Sequence, residues 1–227
     1  MALLLSVQPA APGDPFQGEP VLLAEVKAQA RIDADLTADD ALIQGIIAGA
    51  RAQAEVRTGA AIRQAIYLQT MDGFPPFGRP LVLAHAGIQS VQAITYADPL
   101  AENQRLSLDP STLDTVNRGR ELLLAPLSVP AWTRSSPYAQ PGVPLQGNWP
   151  QTGRSERAVE ITYLAGFAPE DFVSRYPSVR IWILMACAWA YAQREMFMLK
   201  LRGSGFEELP PDYMQSLLEP LTVPPRF

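Results

Sequence analysis

Acyl transfer by a serine or cysteine nucleophile needs a base within hydrogen-bond reach, most often histidine. This sequence holds one histidine, His85, and one cysteine, Cys187. His85 follows an expected strand and no Gly-x-Ser-x-Gly elbow occurs, so a structural or solvent-facing imidazole is predicted. Cys187 sits in an apolar stretch without a neighbouring base and reads as a packed core thiol. A single cysteine cannot form an internal disulfide, and a single histidine removes most zinc sites. Gly203-Ser204-Gly205 lacks the second half of either phosphate-binding glycine fingerprint and follows an expected helix, so it reads as a helix terminator. Paired carboxylates remain, for example Glu156 with Glu160 or Glu207 with Glu208, but a glycosidase pair is defined by separation in space. Asp33, Asp35, Asp39 and Asp40 resemble a metal cluster in composition only. Without a ligand of another type nearby, they read as helix-capping and solvated acids. Asp98, Asp109 and Asp114 read as solvated loop or strand-end acids. No catalytic residue, metal ligand or cofactor site is assigned.

Charge narrows the classes further. A net charge of −5 argues against sequence-independent clamping of DNA, which needs many Lys and Arg. Arg118 and Arg120 are the closest approach to a basic cluster, and no basic patch with interleaved aromatics is present. The 48% apolar content is ordinary for a globular chain and excludes wholesale disorder. The longest apolar run, Ile181 to Ala192, is 12 residues, against roughly 20 for a spanning helix. The start lacks a basic n-region. A soluble chain in the cytoplasm, without membrane contact, is predicted.

The elements that would position any site follow from proline placement and periodicity. Residues 1–20 carry Pro9, Pro12, Pro15 and Pro20, which predicts an extended arm without helix or paired strand. Leu22, Leu23, Val26 and Ala30 predict a helix near 21–32, with Lys27 facing away from the buried side. Thr37 and Asp40 match a capping box opening a helix over 38–59. Its predicted stripe is Leu42, Ile43, Ile46, Ile47, Ala50 and Ala54, and Gly59 stops it. From Ile62 the period becomes alternating. Strands are predicted at 62–71, 81–83, 88–96, 106–108, 113–116, 121–124 and 158–164, paired antiparallel because no helical pattern separates them. Residues 126–157 form a proline-rich excursion bearing Trp132, Tyr138 and Trp149. A helix over 177–200 closes the domain with apolar residues on more than one side, and if Trp189 is core its truncation to alanine costs about 3–5 kcal/mol. Residues 207–227 form a proline-punctuated tail with a short amphipathic piece, Asp212 to Leu218. The predicted fold class is α+β: a small helical bundle packed with a central antiparallel sheet, as one domain over 21–206 flanked by arm and tail.

The order of these elements resembles a known family. Leu23-Ala24-Glu25-Val26-Lys27-Ala28, then Arg31-Ile32-Asp33, Asp39-Asp40-Ala41-Leu42-Ile43, an alanine-rich helix ending Arg57-Thr58-Gly59, and Ile62 opening a sheet stand in sequence. Trp149-Pro150, Val159-Glu160-Ile161-Thr162-Tyr163, Ala165-Gly166-Phe167 and Gln193-Arg194-Glu195 follow. Residues 21–200 in this order resemble the head–tail connector (adaptor) proteins of long-tailed bacteriophages and gene-transfer particles. The arm and the long excursion depart from that pattern.

The resemblance implies a structural virion protein at the head–tail interface, assembled in the host cytoplasm and without catalytic activity or cofactor. It implies a homo-oligomeric ring, usually of twelve copies, beneath the portal protein. Such a ring extends the channel for packaged DNA, without sequence-specific binding, and docks downstream connector or tail proteins. Leu217, Leu218, Leu221, Val223 and Phe227, with no evident place in the domain's own core, are the predicted portal contact; a tail folded back over its own sheet is the alternative. Trp132, Tyr138 and Trp149 are the predicted contact with ring neighbours. Arm, excursion and tail are expected to order on assembly. A head-completion or tail-terminator protein is the structural alternative, and a small cytoplasmic hydrolase with a carboxylate pair the enzymatic one.

Overall fold

The computed structural model describes residues 4–9, 18–101, 104–118, 121–126, 148–193 and 211–223. The chain forms two compact units, one from residues 1–12 and 64–166, the other from residues 13–63 and 167–227. Trp132, Tyr138, Arg120, Gly203 to Gly205, Glu207, Glu208 and Phe227 lie outside the described residues.

The first unit is built from antiparallel strands, as the alternating pattern predicts. Strands β1 (Leu4–Pro9), β2 (Ala65–Met71), β4 (Ile88–Ala97), β5 (Arg105–Leu108) and β8 (Val159–Ala165) make a sheet in the order β1-β2-β8-β4-β5. β8 is central, and its alternation buries Val159, Ile161, Tyr163 and Ala165. It runs in unbroken register with β2, from Ala65 opposite Ala165 to Met71 opposite Val159. Against β4 the register shifts twice, between Ile88 and Ser90 and between Val91 and Ala93, which bends that strand.

Two expectations change here. Residues 4–9 are a paired strand, Leu4 opposite Thr70 through Pro9 opposite Ala65, not an unpaired arm. Leu4 to Gln8 carries no proline, and Pro9, which lacks an N–H, sits at the end of an edge strand where that loss is tolerated. The strands also divide between two sheets. β3 (Leu81–Val82), β6 (Leu113–Arg118) and β7 (Glu121–Pro126) form a separate three-stranded sheet in the order β3-β7-β6. Alternation along one strand reports which residues share a face and says nothing of which strands pair.

The second unit is helical: α1 (Leu23–Ala30), α2 (Asp40–Thr58), α3 (Pro169–Arg175), α4 (Pro177–Ala192) and α5 (Pro211–Ser216). Ile43, Ile47, Ala50 and Ala54 are the buried stripe of α2, and Gly59 ends it in the left-handed conformation at φ 70°, its N–H donating to the Glu55 carbonyl at 2.8 Å. Leu42 is exposed, being one residue, or about 100° of helix rotation, before the start of that stripe.

The predicted capping box is absent. Asp39 holds the N-cap position without a side-chain cap bond, and Thr37 contributes only its carbonyl, 3.2 Å from the Asp40 N–H. The reason is Lys27, which is buried rather than facing away. Its ammonium lies 2.6 Å from Asp40 and donates to the carbonyls of Leu36 at 2.8 Å and Ala34 at 3.3 Å. A buried ammonium requires a counter-charge, which the first residue of α2 supplies, while the loop before that helix supplies the two carbonyls.

Helix α3 was not legible as a separate element. Pro169 opens it with Glu170 and Asp171 in the first turn, and Phe172 is fully buried. The described part of α4 ends at Ala192, and 194–200 lie outside the described residues. Val179, Trp182, Ile183 and Cys187 are its buried side, whereas Trp189 is 69% exposed and not core. The stability cost expected of a core Trp189 therefore does not apply to it within one copy.

Candidate assembly surfaces

The sheet unit absorbs the residues that could have done chemistry. His85 Nδ1 lies 3.1 Å from the Tyr163 hydroxyl and its ring packs on Tyr67 at 4.3 Å, so the imidazole is a structural group. Burial first, then the neighbouring Tyr67, holds the Tyr163 phenol well above its ordinary range. Glu160 pairs with Arg105 at 3.4 Å, and Glu156 is exposed. Asp109 accepts from the Ser111 N–H at 2.9 Å, a bond that lowers its pKa. Asp98 accepts from the Leu100 N–H at 2.8 Å. Both are turn-forming acids. A polar cleft lies where Asp98, Gln104 and Arg105 face Gly153 to Ser155. There the Gly153 N–H donates to the Ala97 carbonyl, and a Cβ at Gly153 would stand 2.8 Å from the Asp98 oxygen. Its guanidinium from Arg105 is already committed to Thr95 and Glu160, so the cleft holds no acid–base pair. Among the described residues no group of His, Cys, Asp and Glu could hold a metal ion, and no helix is long and apolar enough to cross a membrane.

Trp149, expected at a contact with ring neighbours, packs within its own unit and is buried there. Its indole stacks on Phe74 at 4.8 Å and 4°, and its Nε1 donates to the Arg79 carbonyl at 2.8 Å. It pins the end of the excursion back onto its own unit. A lone tryptophan among prolines gives no sign in sequence of which partner it will find.

The helical unit is held by ion pairs remote in sequence. Glu19, 6% exposed, takes Arg51 at 2.9 Å and Arg63 at 3.1 Å. Arg51 also pairs with Glu55, whose other oxygen accepts from the N–H groups of Ile62 at 2.8 Å and Arg63 at 3.2 Å. Burial alone would lower the Arg51 guanidinium, but the Glu55 and Glu19 carboxylates outweigh it and leave its pKa raised. Arg180 pairs with Glu25, and the Tyr191 hydroxyl donates to Asp39 at 2.7 Å.

Cys187 is buried as expected, and its thiol is pushed up to about 12, by burial first and then by Glu19. A thiol protonated at neutral pH and closed to solvent is not a nucleophile. Native protein is expected to leave a thiol-reactive disulfide reagent unconsumed at pH 8 and to consume one equivalent when denatured in urea. Stoichiometric reaction of the native protein would show that α4 is not packed as described.

The tail differs from its expected role. Leu218 and Leu221 are 3% and 1% exposed. The Val223 N–H donates to the Thr58 carbonyl at 2.7 Å, at the C-terminus of α2, and a Cβ at Gly59 would stand 3.6 Å from the Val223 side chain. These residues have a place in the chain's own fold, so Leu218 and Leu221 do not form a free apolar surface. The five leucine, valine and phenylalanine positions of the tail are equally apolar in sequence, which gives no sign of the carbonyl at the end of α2 that the Val223 N–H meets. Leu217 is half-buried.

Apolar residues on α2 and α4 remain outward-facing, among them Leu42, Val56, Ile181 and Trp189. Residues 21–83 match the model of a family described as Phage gp6-like head-tail connector protein. No curated protein sequence matches the chain. Among solved structures, a chain in the neck of an empty gene transfer agent (GTA) particle computed with C6 symmetry is 20% identical with a TM-score of 0.66, covering 99% of this chain and 97% of that one. A chain of the virion of the native GTA particle is 18% identical with a TM-score of 0.64, covering 97% of each. A chain of the native particle's neck computed with C12 symmetry is 16% identical with a TM-score of 0.62, covering 98% and 97%. At these identities it is the fold that is shared, over almost the whole of both chains. The matched family is described as a head-tail connector, and these neighbours are chains of a particle's virion and neck.

Proposed function

We propose that this protein is a head–tail connector of a phage-like particle. In this reading twelve copies form a ring beneath the portal protein, extend the channel for packaged DNA and present the surface on which downstream connector or tail proteins assemble. The observation that carries it is the whole-chain likeness to neck chains, which joins the family match at residues 21–83 to the rest of the molecule. The composition is compatible. A net charge of −5 suits a wall past which DNA slides, since neutralising phosphates with Lys and Arg would hold it. With Leu218 and Leu221 buried, the portal contact proposed for the tail falls to Leu217 and Phe227, and the neighbour contact proposed for the excursion to Trp132 and Tyr138.

Particles produced without the gene test the reading. Filled heads lacking tails, made competent for tail attachment by adding the purified protein, are the expected result. Fully tailed particles in its absence would refute a connector. Tailed particles that lack only the last tail ring would instead point to a tail terminator.

A further inference from the structure

Two helix faces of the helical unit have no partner among the described residues, and they complement each other. On α2, Leu42, Gly45, Gly49 and Val56 share the side away from the buried Ile43, Ile47, Ala50 and Ala54, as the 3.6-residue repeat requires. Leu42 is 46% and Val56 85% exposed. A Cβ on Gly45 or Gly49 would meet nothing within 4 Å. Glycine inside a helix is disfavoured against alanine, and the packing of one copy gives no reason for either residue. A second backbone brought close to this face does. On α4, Ile181, Met185, Ala188 and Ala192 share the side away from Val179, Ile183 and Cys187, and the exposed Trp189 flanks them, about 20° around the helix from the buried Trp182 and two turns beyond it. That face is a ridge, with Ile181 and Trp189 its exposed large residues.

We propose that the outward ridge of α4 on one copy seats against the glycine face of α2 on the next copy, as the repeating contact of the ring. This rests on the connector reading and names the surface through which it works. No charge falls between Leu42 and Ala50 or between Ile181 and Gln193, and Arg51 and Glu55, which precede Val56, are turned to the Glu19 ion pairs on another side of α2, so neither face suits DNA or a charged peptide. α2 and α4 pack together through their buried sides, so the two faces look away from their common seam. Two different patches on opposite sides of one body make a head-to-tail contact, which closes into a ring by rotation. The areas agree. A helix of 16 residues presents a face about 24 Å by 10 Å, on the order of 300 Å² of contact. A lasting pairwise interface buries about 800 Å² per partner, so this contact is too small to hold an isolated dimer and suits a closed ring, where each copy is held twice.

Two substitutions in the full chain test the contact, read by native mass spectrometry and by occupancy on heads. Gly49→Leu fills space that is empty within one copy, and Trp189→Ala removes the exposed anchor of the ridge. Both are expected to keep the parent melting temperature or, for Gly49→Leu, to raise it, and to reduce ring formation at least about tenfold, as loss of an interface anchor does. Rings formed at parent levels by both variants would overturn the contact and leave the connector reading standing. A lowered melting temperature with rings intact would mean that a segment of the same chain, such as 194–210, covers the ridge, which also overturns it. A variant that fails to fold would do the same, since that space would then be filled within one copy. A parent protein that forms no ring, free or on heads, would fail the connector reading itself.

Discussion

Replacing Leu218 and Leu221 together by alanine is expected to cost about 4 kcal/mol or more, each buried leucine contributing about 2–5 kcal/mol through lost transfer energy and the cavity left behind. Both are almost fully buried, and the segment carrying them is tied to the end of α2 by the Val223 to Thr58 hydrogen bond. That carbonyl belongs to the last turn of a 19-residue helix and would otherwise lack a partner within it. Losing this much is a large share of the roughly 5–15 kcal/mol that holds a typical domain together. Urea denaturation followed by helical circular dichroism should show the midpoint fall sharply in the double variant and little in Leu217→Ala. A tail that waited in solvent for a portal would behave oppositely. The midpoint would not move and only binding to heads would be lost, which would reject the docked arrangement.

The second large effect is expected at Glu19. Glu19→Ala removes a carboxylate from the guanidinium groups of both Arg51 and Arg63, in a region where Arg51, Arg63 and Glu55 are at most 17% exposed. Removing one member of a buried ion pair typically costs about 3–5 kcal/mol, because the remaining charge stays desolvated and uncompensated. The pair itself adds much less than its removal costs, so Glu19→Leu combined with Arg63→Met should recover most of the loss. A double-mutant cycle in urea measures this directly. Equal midpoints for the parent and Glu19→Ala would show that Glu19 is solvated and not a clamp. Glu19 sits before α1 and joins residues 32 and 44 positions further on. Its loss should therefore loosen α2 and the residues entering the sheet together, visible as joint loss of amide protection at Ala54 and Phe167, the latter bonded to the Ile62 carbonyl.

The correspondence between pattern and fold is uneven for identifiable reasons. The change of period at Ile62 and its return at Pro177 located strands and helices well, since β4, β5, β7, β8, α2 and the start of α4 lie within a few residues of their predicted spans. Each of these is decided by neighbours two to four residues apart. The residues that misled were those with a choice of partner. Lys27 looked like a solvent-facing charge and is buried because a loop wraps it with Asp40 and two carbonyls. Trp189 looked like core because α4 is apolar all round, and composition alone cannot say which side of such a helix meets its own chain. Trp149 looked like a contact for another subunit and found Phe74 and Arg79 instead.

From its sequence alone, this protein was determined to be an α+β chain with antiparallel strands. The order of its elements also carried the resemblance to head–tail connectors. These properties depend on periodicity, on glycine and proline placement, and on which residue types are present at all, and each can be read over a short window. Only the tertiary structure decided that the strands form two sheets, that Leu4 to Pro9 adds an edge strand, that the tail closes over the end of α2, and that Trp189 and the Gly45–Gly49 face are left outward. Those outcomes turn on pairings between residues far apart in the chain. Burial of one partner there depends on the arrival of the other, so neither segment carries the answer by itself.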